Sequence, residues 1–401
     1  MLDRMHVVHV VGSTDRAGAG VAASVCELCG ALSGVAQVTI VAGSDGKALY
    51  PVDGRVRRVL CPNRPIAGRC LVAGVGLRRE LERVLDEGAD LVHVHGIWLA
   101  ANHAGCAAAR RRDIPYIVSA HGMLMPWAFR HQAWKKKLPW LLYQRADLLH
   151  AAAVVGTSEA EADAIRAFGF PGATVMVPHG LALLSWEAPR NGIQPRKVVF
   201  LGRLHPIKGL MNLLDAWALL RPGGWRLILA GPEEDGFQAV LTERIRQHGL
   251  ADTVTFAGPV DDRQKWLLLR QADLTVLPSF MENFGLVVLE SLACGVPVIT
   301  TRGTPWQVLE TERCGWWVDA GAEALARGLR AAMTLTDEER QAMGLRGRAL
   351  VAKRFAWDRI AGEMADVYRW ICGSGKQPDI CRPVTRPPGL PKGIDESMTA
   401  R

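Results

Sequence analysis

Two glutamates, Glu282 and Glu290, are separated by seven intervening residues in a stretch that reads SFMENFGLVVLESLACGVPVITT from Ser279 to Thr301. An apolar run from Leu274 to Leu277 predicts a buried strand before this stretch, and a helix is predicted to begin near Gly285. Glu282 therefore falls in a loop and Glu290 about one turn into the helix. The first N–H groups of a helix have no intrahelical partner and attract anions. The arrangement suits a phosphorylated sugar, whose anion binds the N–H groups and whose hydroxyls donate to the carboxylates.

Two basic residues follow another predicted strand in the segment GRLHPIKG, which contains Arg203 and Lys208. Arg203 falls in the loop and Lys208 at the start of the next helix. An arginine binds two phosphate oxygens with its planar fork, and a lysine adds a mobile point charge. We expect both to converge on one diphosphate and to neutralise the charge that grows on it as it leaves.

The pattern S-F-x-E-x-F-G-L-x-x-L-E-x-x-A-C-G-x-P-V-I resembles the signature of family 4 glycosyltransferases, and G-R-x-x-x-x-K-G matches the same family. The resemblance implies a retaining enzyme that uses a nucleotide-sugar donor on the GT-B architecture of two Rossmann-like domains. It implies that Glu282 accepts hydrogen bonds from the sugar hydroxyls and Glu290 from the ribose hydroxyls. The backbone that would hold phosphate and sugar is that of Phe284, Gly285, Leu286 and Val287.

The resemblance also implies site residues in the first half of the chain. His121 ends a predicted strand, where the family has a histidine that points at the donor sugar, so its implied role is to orient the sugar and stabilise the transition state. Gly12 to Gly20 is predicted to form a glycine-rich turn. The family's Gly-Gly pair falls on Ala19-Gly20 within it, and Gly20 is expected to approach the donor phosphate. His95 and Trp98 close the preceding strand and are assigned to the cleft or the acceptor site, with local packing as the alternative.

The catalytic set predicted from these motifs is His121, Glu282, Arg203 and Lys208. Pro232 and Val260 close two further strands and are candidates for the base pocket. There is no Asp-x-Asp motif in a donor loop, and two basic residues with a helix end can do a metal's electrostatic work. We therefore expect no metal and no cofactor besides the nucleotide-sugar substrate. The leaving phosphate oxygen is expected to take the acceptor's proton.

The 401 residues exceed one typical core, and strands alternate with helices through both halves, which predicts an α/β chain of two domains with parallel sheets facing across a cleft. The predicted boundaries are an N-terminal acceptor-binding domain over 1–188, a linker over 189–196, a nucleotide-sugar-binding domain over 197–355, a helix crossing back to the first domain over 356–372, and a disordered tail over 373–401.

The composition is that of a globular protein, with 49% hydrophobic and 22% charged residues and a net charge of +8. Nine scattered cysteines favour a reducing cytoplasm. No apolar run is long enough to cross a membrane, and the N-terminus does not resemble a signal peptide. We therefore expect a cytoplasmic protein.

Residues Pro126 to Pro139 are predicted to be irregular, and the overlapping segment from Trp127 to Trp140, WAFRHQAWKKKLPW, combines aromatic and basic residues. Such a segment suits an anionic membrane surface, single-stranded nucleic acid, or a solvated edge. Beside a glycosyltransferase cleft, a membrane or a lipid-linked acceptor is the preferred partner, with no nucleic acid. This would place the protein at the inner face of the membrane.

These features together predict the transfer of a hexose to a hydroxyl of a glycan or a lipid-linked acceptor, in cell-surface polysaccharide synthesis. One alternative is a nucleotide-sugar epimerase or a phosphorylase of the same architecture. An epimerase should lack the Arg203/Lys208 and Glu282/Glu290 combination, and a phosphorylase should carry a cofactor lysine. The other alternative is a non-catalytic relative that binds sugar or membrane, which should have damaged motifs, whereas only Ala19 departs from the pattern here.

Overall fold

The structure is a computed structural model, and it describes residues 4–16, 19–46, 48–62, 74–130, 133–183 and 195–382. It divides into two compact units, one formed by residues 1–180 with 357–401 and the other by 181–356. The sequence placed these boundaries at 188 and 355. Most of the predicted linker, residues 189–194, lies outside the described residues. No described helix has the length and apolar character needed to cross a bilayer.

The first unit alternates strands with helices. Its strands are β1 (His6–Val11), β2 (Gln37–Ser44), β3 (Arg57–Pro62), β4 (Leu91–His95), β5 (Tyr116–Ser119), β6 (Ala153–Gly156) and β7 (Ala173–Met176). Its helices are α1 (Ala19–Leu32), α2 (Gly74–Asp86), α3 (Ala100–Arg110), α4 (Pro126–Arg130), α5 (Ala133–Pro139), α6 (Arg145–Leu149) and α7 (Glu159–Ala167), with a π-helical turn (Trp140–Gln144) joining α5 to α6.

The second unit repeats the alternation. Its strands are β8 (Arg196–Leu201), β9 (Trp225–Ala230), β10 (Val254–Gly258), β11 (Leu274–Leu277), β12 (Val298–Thr301) and β13 (Gly315–Val318). Its helices are α8 (Leu210–Leu220), α9 (Phe237–His248), α10 (Asp262–Arg270), α11 (Leu286–Ala293), α12 (Val308–Thr311), α13 (Ala322–Met333) and α14 (Asp337–Arg354). The chain then returns to the first unit with α15 (Trp357–Ile371) and β14 (Cys381–Arg382).

Each unit has one sheet. In the first the strand order is β14-β7-β6-β5-β4-β1-β2-β3, parallel except for β14, and in the second it is β10-β9-β8-β11-β12-β13, all parallel. The valine-, leucine- and isoleucine-rich strands are buried because helices cover both faces of a parallel sheet. In the first unit one face packs on α2 and α3, and the other packs on α1 and α15.

Two regional predictions were wrong. The segment predicted to be irregular up to Pro139 is helical over α4 and α5, because the packing of Phe129 on Trp98 and Phe168 compensates for a weak local preference. The predicted disordered tail begins too early, since β14 pairs antiparallel with β7 through Cys381 and Val175. The rest of that tail, residues 383–401, lies outside the described residues.

Candidate active site

The second unit has a topological switch point between β8 and β11. The chain runs outward from β8 through β9 to β10 on one side, and from β11 through β12 to β13 on the other. The loops after two such central strands diverge and leave a crevice at their carboxyl ends, which is where open α/β sheets bind ligands. The loop after β8 carries Arg203 and Lys208, and the loop after β11 carries Glu282. A hydrogen bond from Phe280 N to Ile207 O, 2.9 Å long, joins the two loops.

Lys208 and Glu282 form the centre of this crevice. The Lys208 ammonium donates to Glu282 Oε1 at 2.5 Å, and the Ser279 hydroxyl donates to the same oxygen at 2.7 Å. The two charged side chains retain only 15% and 13% of their exposure, so the ion pair is largely withdrawn from water. Both bonds go to Oε1, and Glu282 Oε2 has no hydrogen-bond partner among the described residues. The free oxygen is available to accept from a ligand hydroxyl.

A glycine makes this approach possible. Gly209 follows Lys208 with a φ of +67°, and a Cβ at this position would lie 2.1 Å from the carbonyl oxygen of Pro278. Only glycine adopts that conformation without cost and leaves space for the neighbouring backbone. The two loops therefore touch through their main chains, which brings Lys208 within reach of Glu282.

Arg203 does not accompany Lys208. Its guanidinium pairs with Glu234, a residue that the sequence motifs did not single out, in the loop after β9. Arg203 is 55% exposed in this pair. An exposed ion pair contributes less than about 1 kcal/mol, so exchanging Glu234 for a diphosphate is energetically accessible. The predicted convergence of both bases on one anion thus requires Arg203 to change partners.

Glu290 has a partner that was also missed. The Lys265 ammonium, on α10, donates to Glu290 Oε1 at 2.6 Å, and the glutamate side chain is 12% exposed. Nothing in the local pattern marks Lys265, because its contact depends on how α10 packs beside α11. Each of the two signature glutamates is therefore paired with a lysine, whose positive charge stabilises the carboxylate in its largely buried position.

The start of α11 is open to a ligand. Its N-cap is Gly285, at a φ of +81°, and no side chain caps the helix. The N–H groups of Leu286 and Val287 lie in the first turn, where a helix offers donors without intrahelical partners. The Phe284 ring is instead part of the core, against Trp306. The backbone assignment of the anion site is therefore compatible with the structure, and the phenyl ring is structural.

The two base-pocket candidates occupy neighbouring strand ends. The Pro232 carbonyl accepts from Leu204 N at 2.8 Å, which ties the loops after β9 and β8 together. Val260, after β10, is half-buried against a small cluster that includes Leu201. Both lie along the same edge of the sheet as the Lys208–Glu282 pair.

The first unit has its own switch point, between β1 and β4. The loop after β1 leads to Gly20, which the sequence placed in a glycine-rich turn. The structure corrects this placement: α1 begins at Ala19, so Gly20 is exposed in the first helical turn. Its N–H still belongs to the group that lacks intrahelical partners, so the correction changes the conformation and leaves the donor available.

His121 lies where β5 ends, in a strained turn. Its φ is +49°, which is uncommon for a residue with a side chain, and Gly122 follows at +80°. The buried carboxylate of Glu161, another residue that the motifs missed, accepts from Gly122 N and from Thr157 N and so holds this turn. The His121 ring is half-buried, and its Nδ1 has no hydrogen-bond partner among the described residues. Burial, with His179 beside it, lowers the pKa of His121 to about 3, so the ring is neutral.

His95 and Trp98 are both held by contacts within the first unit. His95 is 2% exposed, and its ring nitrogens contact His9 at 2.9 Å and His121 at 3.3 Å. Trp98, at a φ of +77°, packs on Phe129. The local-packing alternative thus describes Trp98, and His95 supports His121 from beneath.

The helices after His121 carry an exposed apolar surface. Trp134, Leu138, Leu141 and Leu142 follow helical spacing and are 72%, 63%, 77% and 69% exposed; we call these four residues the apolar ridge. Trp140, which the sequence placed on a membrane surface, is instead buried against Phe168. Lys135 lies over the Trp134 ring, whereas Lys136 contacts the Ala128 carbonyl and the Trp98 ring.

Comparison with known proteins decides the family. The model of the glycosyl transferases group 1 family matches residues 187–350, and that of the glycosyl transferase 4-like domain matches residues 19–180. The chain is 31% identical over 323 residues to a D-inositol 3-phosphate glycosyltransferase from Xylanimonas cellulosilytica, over 74% of this chain and 75% of that protein. The chain belongs to glycosyltransferase family 4.

This family 4 glycosyltransferase is also 27% identical over 301 residues to the GDP-mannose:cellobiosyl-diphosphopolyprenol alpha-mannosyltransferase of Xanthomonas campestris, over 73% of this chain and 77% of that one. Among solved structures, Anabaena HepE in complex with UDP and glucose aligns with a TM-score of 0.70 and 20% identity, over 90% of this chain and 99% of that chain. The fold is GT-B, which confirms the predicted fold class. The 4-like match falls in the first unit and the group 1 match in the second.

Proposed function

We propose that this glycosyltransferase moves a hexose, with retention of configuration, from a nucleoside-diphosphate sugar to a hydroxyl of a glycan or lipid-linked acceptor. The observation that carries the proposal is the Lys208–Glu282 pair at the switch point of the second unit, beside the uncapped start of α11. The crevice combines a cation, a helix N-terminus and a carboxylate oxygen that can accept hydrogen bonds from hydroxyls. This combination matches a ligand that has both phosphate and sugar hydroxyls.

The second unit's residues take the following roles. Lys208 and the first N–H groups of α11 bind the diphosphate, and Arg203 leaves Glu234 to join them. Their positive charge stabilises the diphosphate as it departs, because fixed donors act most strongly where charge develops. Glu282 Oε2 accepts from a hydroxyl of the transferred sugar, and Glu290 accepts from the ribose. Each glutamate keeps its lysine, so neither has to be protonated to stay buried.

The proton of the acceptor goes to the leaving phosphate oxygen. Front-side attack forms the new glycosidic bond on the face from which the diphosphate leaves, and the anomeric carbon therefore keeps its configuration. Glu282, the carboxylate of the crevice, is held by two hydrogen bonds and is suited to binding hydroxyls. His121 has the role of orienting the sugar.

We further propose that the reaction needs no metal. Lys208, Arg203 and the helix start supply positive charge at the diphosphate, which is the electrostatic contribution a divalent cation makes in other transferases. Activity in EDTA tests this part.

The acceptor is proposed to be lipid-linked. The Xanthomonas relative acts, by its name, on a cellobiosyl-diphosphopolyprenol. In the present chain the apolar ridge exposes one tryptophan and three leucines beside Lys135 and Lys137. Exposed apolar residues flanked by lysines favour the interface of an anionic bilayer, with rings at the headgroup level. Such contact would bring the enzyme to an acceptor that stays in the membrane.

The test is a donor screen with the purified chain in EDTA. UDP-, GDP- and ADP-sugars are each incubated with a lipid-linked saccharide, and released nucleoside diphosphate and product are measured. Turnover of one donor supports the proposal, and NMR of the new anomeric proton reports retention. The matched control is Lys208→Met/Glu282→Gln, which removes both charges of the buried pair. If no donor binds to the wild-type chain, the proposal is wrong.

A further inference from the structure

The first unit gathers histidines at its switch point. His9 lies on β1, and His93 and His95 lie on β4, with His9 directly opposite His93 in the parallel register. His121 follows β5, the next strand along the sheet. Residues two apart on a strand share a face, so His93 and His95 point to the same side as His9, toward α1 and α15. Histidine is uncommon in such fully buried strands.

Three of these rings form a continuous hydrogen-bonded chain. His9 Nδ1 lies 2.9 Å from His95 Nε2, and His95 Nδ1 lies 3.3 Å from His121 Nε2. The two terminal nitrogens, His9 Nε2 and His121 Nδ1, have no hydrogen-bond partner among the described residues. One end of the chain is thus deep in the sheet and the other is at the strand end. We call these three residues the histidine relay.

The relay can exist in only two neutral arrangements. Burial lowers the pKa of His9 to about 3 and that of His95 well below its usual value, so at neutral pH each ring carries one proton. In one arrangement all three protons are on Nδ1, and each ring donates toward His121. In the other all three are on Nε2, and each ring donates toward His9. The state of one ring therefore fixes the state of the other two.

The surroundings of the two ends favour the first arrangement. His9 is fully buried, and in the second arrangement its Nε2–H would be a donor with no acceptor. Buried N–H groups without a partner are rare because the desolvation penalty is not recovered. In the first arrangement His9 Nε2 is only an unused acceptor. The terminal donor is then His121 Nδ1–H. This atom is buried too and has no partner among the described residues, but the His121 ring lines a small cavity that can hold an acceptor.

A neighbouring ring keeps the relay in place. His93 Nδ1 contacts the Tyr368 hydroxyl and Nε2 contacts the Ser119 hydroxyl, each at 2.7 Å. Its ring centroid lies 4.0 Å from that of His95. His9, His93 and His95 have the composition of a three-histidine metal site. Because both nitrogens of His93 are already occupied, the group is better explained as a fixed stack than as a set of ligands.

A small cavity of about 30 Å³ adjoins the His121 end of the relay, and its lining includes His95, His121 and His179. This volume admits a single hydroxyl or water. We propose that His9 and His95 are positioning residues for His121, and that the relay presents His121 Nδ1–H as a hydrogen-bond donor to a hydroxyl oxygen of the sugar donor. This inference rests on the proposed function, because it gives His121 a sugar to bind.

The first experiment reads the tautomers of the full chain by NMR with ¹⁵N-labelled histidine. His121 is assigned by its loss in His121→Gln. The expected result is an Nδ1–H tautomer for His121 in the wild type and a mixture in His9→Phe. His6→Gln is the matched control, since His6 is on the same strand but bonds to Thr39 and the Gly88 carbonyl, outside the relay. An Nε2–H tautomer for wild-type His121 overturns the inference.

The second experiment is a double-mutant cycle on kcat. Loss of the tautomer bias, comparable to one hydrogen bond, is expected to lower kcat about tenfold in His9→Phe. In a His121→Ala background the same change is expected to have no further effect, because both residues act through one group. An equal effect in both backgrounds means that His9 only supports the fold. Asparagine can donate a hydrogen bond from a similar position, so recovery of kcat in His9→Asn supports the relay. This variant also decides the question if His9→Phe folds poorly.

The two experiments separate this inference from the proposed function. If no nucleotide sugar is turned over by the wild type, the proposed function fails, while the tautomers still decide the relay. If turnover is normal and His121 carries its proton on Nε2, the relay fails alone.

Discussion

Replacement of Lys208 by methionine is expected to destabilise the second unit as well as to abolish donor binding. Lys208 and Glu282 are 15% and 13% exposed, and the pair distance is 2.5 Å. Removing one member of a buried ion pair costs about 3–5 kcal/mol, because the remaining charge has no partner. Glu282 keeps the Ser279 hydroxyl, so we expect a loss at the lower limit, about 3 kcal/mol.

A matched pair of variants isolates the cause. Lys208→Met/Glu282→Gln removes both charges, and buried pairs replaced by neutral groups of similar volume are often as stable as the original. We expect the double variant within about 1 kcal/mol of wild type. Arg203→Met, which breaks the exposed pair with Glu234, should cost less than about 1 kcal/mol.

The assay is urea-induced unfolding followed by tryptophan fluorescence, with the free energy of unfolding compared among the four proteins. The order expected is wild type, Arg203→Met and the double variant close together, with Lys208→Met well below them. Equal stability of Lys208→Met and Arg203→Met would refute the conclusion that Lys208 and Glu282 form a buried ion pair. A double variant as unstable as Lys208→Met would show that lost packing, and not the uncompensated carboxylate, sets the cost.

Three further predictions follow from other parts of the molecule. Gly209→Ala should lower the free energy of unfolding by more than about 2 kcal/mol and weaken nucleotide binding, because its Cβ meets the Pro278 carbonyl at positive φ. The control is Gly223→Ala, whose Cβ meets no atom and which should leave the free energy of unfolding unchanged. The free energy of unfolding should fall as pH drops from about 6.5 toward 3, because the pKa values of His9 and His121 are lower in the folded than in the unfolded chain, so the unfolded chain binds protons first. Urea unfolding measured over this pH range should show a shallower fall in His9→Phe. Leu141→Glu should reduce sedimentation with anionic vesicles, and Leu345→Glu, an exposed leucine in the other unit, should leave it unchanged.

Most of the fold followed from periodicity. The strand predicted from Leu274 to Leu277 is confirmed residue for residue as β11, because a short, mainly apolar run before a loop suits a buried parallel strand in an alternating chain. Failures came where tertiary contacts decide. The helices from Pro126 to Pro139 contain two prolines and three lysines, and the packing of Phe129 on Phe168 and of Lys136 on Trp98 compensates for weak local preference.

The candidate site was predictable where each partner belongs to a recognised motif. Glu282 and Lys208 belong to motifs that the sequence already marks, and their contact is a property of adjacent loops at a switch point. Lys265 and Glu161 were not predictable, because each meets its partner through helix packing or a turn that no spacing encodes. His9 carried a signal that was passed over: a histidine within a run of buried valines has to be paired.

The most direct test of the central claim is calorimetric titration of UDP and GDP into the wild-type chain and into Lys208→Met/Glu282→Gln, with EDTA present. The double variant is expected to fold, so a loss of binding reports the site and not the fold. Binding of one nucleoside diphosphate to the wild type, abolished in the double variant, is the predicted result. Equal binding by both proteins would mean that the diphosphate lies elsewhere, and would contradict the assignment of the crevice between β8 and β11.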